Sequence, residues 1–194
     1  MLRLFVALRP PDAICDQLMD LQAGLAGAAW RPFDAFHLTL RFIGEIDVAA
    51  ANDVAAALEG VRAPQFSMSL EGGGHFGDRK PRAVWAGATP STELAHLQAK
   101  IERAVQQAGQ PPERRQFTPH VTLAYLKGAS APDVAAYLAA YPLPRTQPFQ
   151  VSHFSLMSSH RGRDESAYAE EARYPLMATG RSDAPGGVDR GDAA

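Results

Sequence analysis

Residues 36–43 read Phe36-His37-Leu38-Thr39-Leu40-Arg41-Phe42-Ile43, and residues 119–126 read Pro119-His120-Val121-Thr122-Leu123-Ala124-Tyr125-Leu126. The segments coincide in register 83 residues apart: His on His, Thr on Thr, Leu40 on Leu123, Phe42 on Tyr125. Both are rich in β-branched, aromatic and aliphatic residues, which predicts strands. On a strand, alternate residues share a face. His37 and Thr39 therefore point one way while Leu38 and Leu40 point into a core. His120 and Thr122 repeat this with Val121 and Leu123 behind them. One such strand in each half of the chain predicts a bilobal, duplicated architecture about a pseudo-twofold axis.

The flanking sequence supplies the other elements. Residues 2–8 read as a buried strand stopped by Pro10 and Pro11. Ile14, Leu18, Leu21 and Leu25 fall on one helical face. After the first motif, Asp47 can cap a helix carrying the apolar Val48, Val54 and Leu58 and stopping at Gly60. Residues 65–70 alternate as a half-buried strand, residues 71–82 (EGGGHFGDRKPR) read as a glycine-rich loop with a basic end, and residues 83–88 read as a strand. Thr89 and Pro90 fit the N-cap and first position of a helix whose inner face is Leu94, Leu97, Ile101 and Val105. A short helix over 132–140 and strands over 149–157 and 168–177 complete the order. Residues 179–194 have almost no apolar content and are expected to be disordered, leaving one domain over 1–178. Helices mixed with paired strands, without a clean βαβ repeat, predict an α+β fold with antiparallel sheets.

Composition removes several classes of function. Of 194 residues, 46% are hydrophobic and 21% charged, which excludes disorder along the whole chain. A net charge of −2 excludes coating of nucleic acid by bulk charge but allows a local basic cleft. Arginine outnumbers lysine 16 to 3, which suits bidentate phosphate contacts and equally fits a biased genome composition. The single cysteine, Cys15, excludes a disulfide framework and a multi-cysteine zinc site. The opening MLRLFVALRPPD is too short and interrupted for a signal peptide, and no run approaches the roughly 18 apolar residues of a membrane span. A cytoplasmic location without membrane association is expected. EGGGHFG lacks the phosphate-loop lysine and the strand-to-helix context of a dinucleotide fingerprint, so no nucleotide cofactor is expected.

The paired motifs suggest a chemistry. Two imidazoles near neutral pH can divide acid and base work. Two threonine hydroxyls can hydrogen-bond non-bridging oxygens. If the strands face each other across a cleft, the set fits in-line attack on a phosphodiester without a metal ion. A zinc site is the competing reading. It is disfavoured by the absence of a helical His-Glu-x-x-His pattern.

The two His-x-Thr motifs resemble those of the two-histidine phosphoesterase superfamily. HLTLRFIGE and PHVTL resemble its bacterial and archaeal branch, the RNA 2′,3′-cyclic phosphodiesterases also called 2′-5′ RNA ligases. The resemblance covers residues 1–178, including PRAVWAG and the ending SLMSSHRGRDESAYAEEARYPL. It implies two antiparallel sheets lining a central cleft with helices outside, and hydrolysis of a 2′,3′-cyclic phosphate at an RNA 3′ end to a 2′-phosphate. It implies His37 as general acid for the ribose O3′, His120 as general base for water, and Thr39 and Thr122 as holders of phosphate oxygens. It implies that Phe42 stacks on the terminal base. Simple alternation puts Phe42 on the face opposite His37, so stacking requires a bend or bulge after Leu40; otherwise Phe42 is a core aromatic. The resemblance implies a phosphate-gripping arginine three residues after the second Thr, the usual pattern of the branch, where this chain has Tyr125. Arg41, Lys127, Arg115 and Arg161 are the candidate substitutes.

The chain is expected to act as a monomer on an RNA 3′ end, with no cofactor. Three other functions stay open at this point: 2′-5′ ligation at the same site, hydrolysis of a small cyclic nucleotide, and non-catalytic binding of RNA ends. His75, His96, His153 and His160 carry less weight, because none belongs to the repeat.

Overall fold

The computed structural model describes residues 1–161 and 166–178; the expected disordered tail, 179–194, lies outside the described residues. The chain runs β1 (Leu2–Leu8), α1 (Asp12–Met19), β2 (Ala28–Trp30), a 3₁₀ turn (Phe33–Ala35), β3 (Leu38–Ile46), α2 (Val48–Glu59), β4 (Phe66–Met68), β5 (Leu70–Phe76), β6 (Ala83–Ala88), α3 (Thr92–Gln107), β7 (His120–Leu126), α4 (Ala131–Ala140), β8 (Phe149–Val151), β9 (His153–Arg161) and β10 (Ser166–Pro175). This is an α+β fold. An eight-stranded sheet has the order β10-β9-β1-β3-β7-β6-β5, with β2 also paired to β7, and β4 and β8 form a separate two-stranded sheet. Among the described residues every strand pair is antiparallel. The expected pair of sheets lining a cleft is instead one continuous sheet, because β3 and β7 are themselves paired, and it divides into two halves. Each half is built around one motif strand, and the halves meet where Leu38 of β3 pairs with Val121 of β7.

Leu38, Leu40, Val121 and Leu123 are buried, as alternation requires. They join one apolar cluster with Val54 and Leu58 of α2 and Leu94, Leu97, Ile101 and Val105 of α3. Asp47 caps α2, its carboxylate accepting the Ala50 N–H at 2.8 Å. Among the described residues no helix is long and apolar enough to cross a membrane.

Four local readings change. The first helix stops at Met19 instead of reaching Leu25, and beyond it the chain turns through left-handed Gly24 and Gly27; Leu25 is buried all the same. Ser91, not Thr89, caps α3 by accepting the Leu94 N–H, while the Thr89 hydroxyl donates to the Ser69 carbonyl. The segment 149–157 is two strands, and the first half pairs with β4 outside the large sheet. The glycine-rich segment 71–76 is strand, not loop. It pairs with β6, Gly74 opposite Trp85, and a Cβ on Gly74 would stand 2.3 Å from the Trp85 ring. Glycine is required there by the indole lying over the backbone.

Gly27 holds the short strand β2 against β7. Its carbonyl accepts the Lys127 N–H at 2.9 Å, its φ is +76°, and a Cβ would meet the Lys127 carbonyl oxygen at 2.3 Å. Gly27→Ala therefore combines a left-handed φ with a backbone collision. We expect it to lower unfolding free energy by about 2 kcal/mol or more, read from urea midpoints. A loss under about 0.5 kcal/mol would show that the turn relaxes freely.

Candidate active site

His37 and His120 are held in matching ways. His37 follows the 3₁₀ turn, and its Nδ1 lies 2.8 Å from the Ala35 carbonyl oxygen. His120 opens β7, and its Nδ1 lies 2.6 Å from the Thr118 carbonyl oxygen. Each ring thus donates from Nδ1 to the carbonyl two residues before it. In the neutral form this leaves the Nε2 lone pair free to act. Aromatic rings box in each imidazole: Phe5 and Tyr168 stand 4.8 Å and 5.0 Å from His37, and Phe76 and Trp85 stand 4.8 Å and 5.9 Å from His120.

The Leu38–Val121 pair brings the two motifs together. One antiparallel step to either side places His37 opposite Thr122 and Thr39 opposite His120. All four line one cleft of about 620 Å³, with Phe42 and Tyr125 on its walls. Phe42 reaches the cleft by the required irregularity. Ala7 pairs with Thr39 and Val6 with Arg41, so Leu40 is an extra residue and alternation restarts after it. The Phe42 ring then lies between the Arg3 and Arg115 guanidiniums, 5.0 Å and 6.0 Å away.

Burial pushes His37 down from 6.5 to about 4; the charges of Arg31, His120 and Arg9 add to this, and the Ala35 carbonyl opposes it. His120 is also lowered, chiefly by burial, against the Thr118 carbonyl. Both rings are therefore neutral in the empty cleft at pH 7.

The candidate cations fall in different places. Arg41 borders the cleft, but its buried guanidinium pairs with Glu102 of α3 and donates to the Phe42 and Pro111 carbonyls. Arg115 lines the cleft and makes two bonds to Glu113, at 3.1 Å and 2.7 Å. Those bonds hold the Glu113 carboxyl down at about 2, so it neutralises Arg115 at any working pH. Lys127 is exposed at the end of β7 and does not line the cleft. The Arg161 side chain lies outside the described residues. None of His75, His96, His153 and His160 lines the cleft.

Two cleft arginines have no counterpart in the motif reading, Arg31 and Arg82. Arg82 is exposed at the start of β6. Arg31 follows β2, a three-residue Ala-Ala-Trp strand with no periodicity to reveal it. Among the described residues no group of three or more His, Cys, Asp or Glu could hold a metal ion.

Two expectations follow from the electrostatics. The unfolded His37 imidazole titrates near 6.5 and the folded one near 4, so between these values the unfolded chain binds more protons. Stability should be full above pH 6.5 and fall as pH drops towards 4, by at most about 3 kcal/mol from this group. Urea midpoints at pH 7 and 4.5 test this: His37→Gln should shrink the difference, and an unchanged difference would refute the assignment. Arg41→Met should cost about 3 kcal/mol by stranding Glu102, and Arg41→Met with Glu102→Leu should recover most of it. No recovery would mean that Arg41 acts through other contacts.

A profile of the 2′-5′ RNA ligase superfamily matches residues 10–163 of the chain. The RNA 2′,3′-cyclic phosphodiesterase of Aeropyrum pernix is 41% identical over 96 residues, 48% of this chain and 54% of that protein. The Geobacillus stearothermophilus protein of the same name is 30% identical over 162 residues, 81% of this chain and 51% of that protein. The chain thus spans about half the length of these two relatives. The Escherichia coli K12 protein of that name is 27% identical over 178 residues, 90% and 96% of the two chains. The crystal structure of E. coli LigT complexed with 3′-AMP superposes with a TM-score of 0.74 at 26% identity, covering 90% of this chain and 98% of that one. A Thermus thermophilus structure shares the fold, with a TM-score of 0.73 at 24% identity over 90% and 97% of the two chains.

Proposed function

Because the chain belongs to the 2′-5′ RNA ligase superfamily, we propose that it hydrolyses RNA 2′,3′-cyclic phosphate ends to 2′-phosphomonoesters, using its two His-x-Thr motifs and no metal ion. One observation carries the reading. Two imidazoles in one cleft have the same tautomer, each tied by Nδ1 to the carbonyl two residues upstream. The relatives named RNA 2′,3′-cyclic phosphodiesterase support the substrate.

Water attacks phosphorus opposite the P–O3′ bond, and His120 takes its proton at Nε2. The P–O3′ bond breaks, and His37, protonated at Nε2, gives that proton to O3′. The 2′-phosphate and a 3′-hydroxyl result. Thr39 and Thr122 donate hydrogen bonds to non-bridging oxygens, and Phe42 stacks on the terminal base. His37 is neutral in the empty cleft, so it acquires its proton as the substrate's anionic phosphate enters and raises its basicity.

The test is turnover of an oligonucleotide ending in a 2′,3′-cyclic phosphate. His37→Ala and His120→Ala should each lower kcat by about 10²–10⁴-fold while circular dichroism stays unchanged. Near wild-type turnover in either would overturn the mechanism. Activity should survive excess chelator. The base must be neutral and the acid charged, so kcat/KM should be bell-shaped in pH. Both imidazoles lie below 6.5 when free, which places the maximum below pH 6.5. Adding a 5′-hydroxyl oligonucleotide separates hydrolysis from ligation. Small 2′,3′-cyclic nucleotides in place of the oligonucleotide separate RNA ends from mononucleotides.

A further inference from the structure

A phosphodiester leaving water for a cleft needs a positive partner, and a fixed guanidinium suits it best. Arg41 is closed off by Glu102, and Arg115 by Glu113. Arg31 is different. It lines the cleft at 8% exposure and makes no ion pair among the described residues. A buried charge without a counter-ion is costly unless an anion visits it.

Arg31 is also held still. Its backbone N–H donates to the Leu123 carbonyl at 2.8 Å, and its carbonyl accepts from Gln22 Nε2 at 2.7 Å. Its Cζ lies 5.4 Å from both the Tyr125 and the Tyr168 ring, and Nη2 donates to the Tyr168 hydroxyl at 3.1 Å. Its other guanidinium N–H groups have no partner among the described residues. β2 puts it there: Ala29 pairs with Tyr125 two residues before Arg31.

We infer that Arg31, carried in on β2 and braced by Tyr125 and Tyr168, is the guanidinium that grips the substrate's phosphate. The inference rests on the phosphodiester reading for its substrate, but its anion site can be measured without turnover. Arg31 approaches from a different strand than the motif, so the tyrosine at 125 serves as its platform. Its charge reaches His37, where it is among the causes that hold that imidazole down.

The experiment measures inorganic phosphate affinity by titration calorimetry and kcat/KM on the cyclic-phosphate oligonucleotide. The proteins are wild type, Arg31→Met, Arg31→Lys, Arg82→Ala, Arg115→Ala, and Arg31→Met with Tyr125→Arg. Arg31→Met should weaken phosphate binding about tenfold or more. It should lower kcat/KM about 10²–10³-fold and move the maximum of kcat/KM to higher pH. Arg31→Lys should keep part of both. Tyr125→Arg on the Arg31→Met background should restore about tenfold in kcat/KM, because it returns a guanidinium to the same wall of the cleft. A merely structural arginine would lower the melting temperature without this rescue or the pH displacement. Unchanged phosphate affinity in both Arg31→Met and Arg31→Lys overturns the inference, as does a larger loss in Arg82→Ala or Arg115→Ala. If wild type binds phosphate through Arg31 but fails to turn over the oligonucleotide, the functional reading falls and the anion site stands.

Discussion

The backbone pairing of Leu38 with Val121 is the joint on which the cleft depends. It fastens two half-sheets into one and buries both side chains on the core face. The neighbours of that pair, His37 with Thr122 and Thr39 with His120, are thereby turned to the opposite face and brought within one cavity. Strand geometry leaves no freedom here: a slip of one residue would send every imidazole into the core and every leucine into the cleft. Burial of Leu40 and Leu123 guards the register. The two carbonyl tethers, Ala35 to His37 and Thr118 to His120, then fix which nitrogen faces the cleft. Packing sets the position of the rings, and hydrogen bonding sets their chemistry.

The motif strands, the core leucines and the α+β class could be read from the sequence because each rests on a short-range period. His, Thr and Leu at spacing two identify a face without any knowledge of the rest of the chain. The parts that escaped reading are those decided at long range. Residues 71–76 look like a loop by composition, but the indole of Trp85, eleven residues after Gly74, makes glycine necessary in a paired strand. β2 is three residues long and owes its existence to the edge of β7. Arg31 therefore enters the cleft unannounced, six residues from His37 in sequence but placed by a strand far along the chain. Phe42 lies between these cases. Alternation alone puts it on the wrong face, and only the register of β1 against β3 reveals the extra residue at Leu40 that corrects it.

The cleft also sorts its arginines by what surrounds them. Arg41 and Arg115 each meet a carboxylate, and their charges cancel locally. Arg31 meets aromatic faces and a phenol, which orient a guanidinium without neutralising it. Low exposure keeps its field from being screened by solvent, so it is felt at His37. Ring faces thus do what an acidic side chain could not: they position a cation and leave it available to an incoming anion.

The order of the strands also bears on how the molecule is assembled. β5, β6 and β7 lie within residues 70–126, and among the described residues only β2 joins that half from elsewhere. The half around β3 is put together from both ends of the chain, because β9 and β10 return to extend the sheet beyond β1. Tyr168, which packs on His37 and Arg31, sits on that last strand. During synthesis the second motif can find its sheet neighbours while the first still waits for partners near the far end of the chain. The first histidine's surroundings are therefore completed last, and a chain interrupted before β9 would carry both motifs but lack the Tyr168 ring that packs on His37 and Arg31.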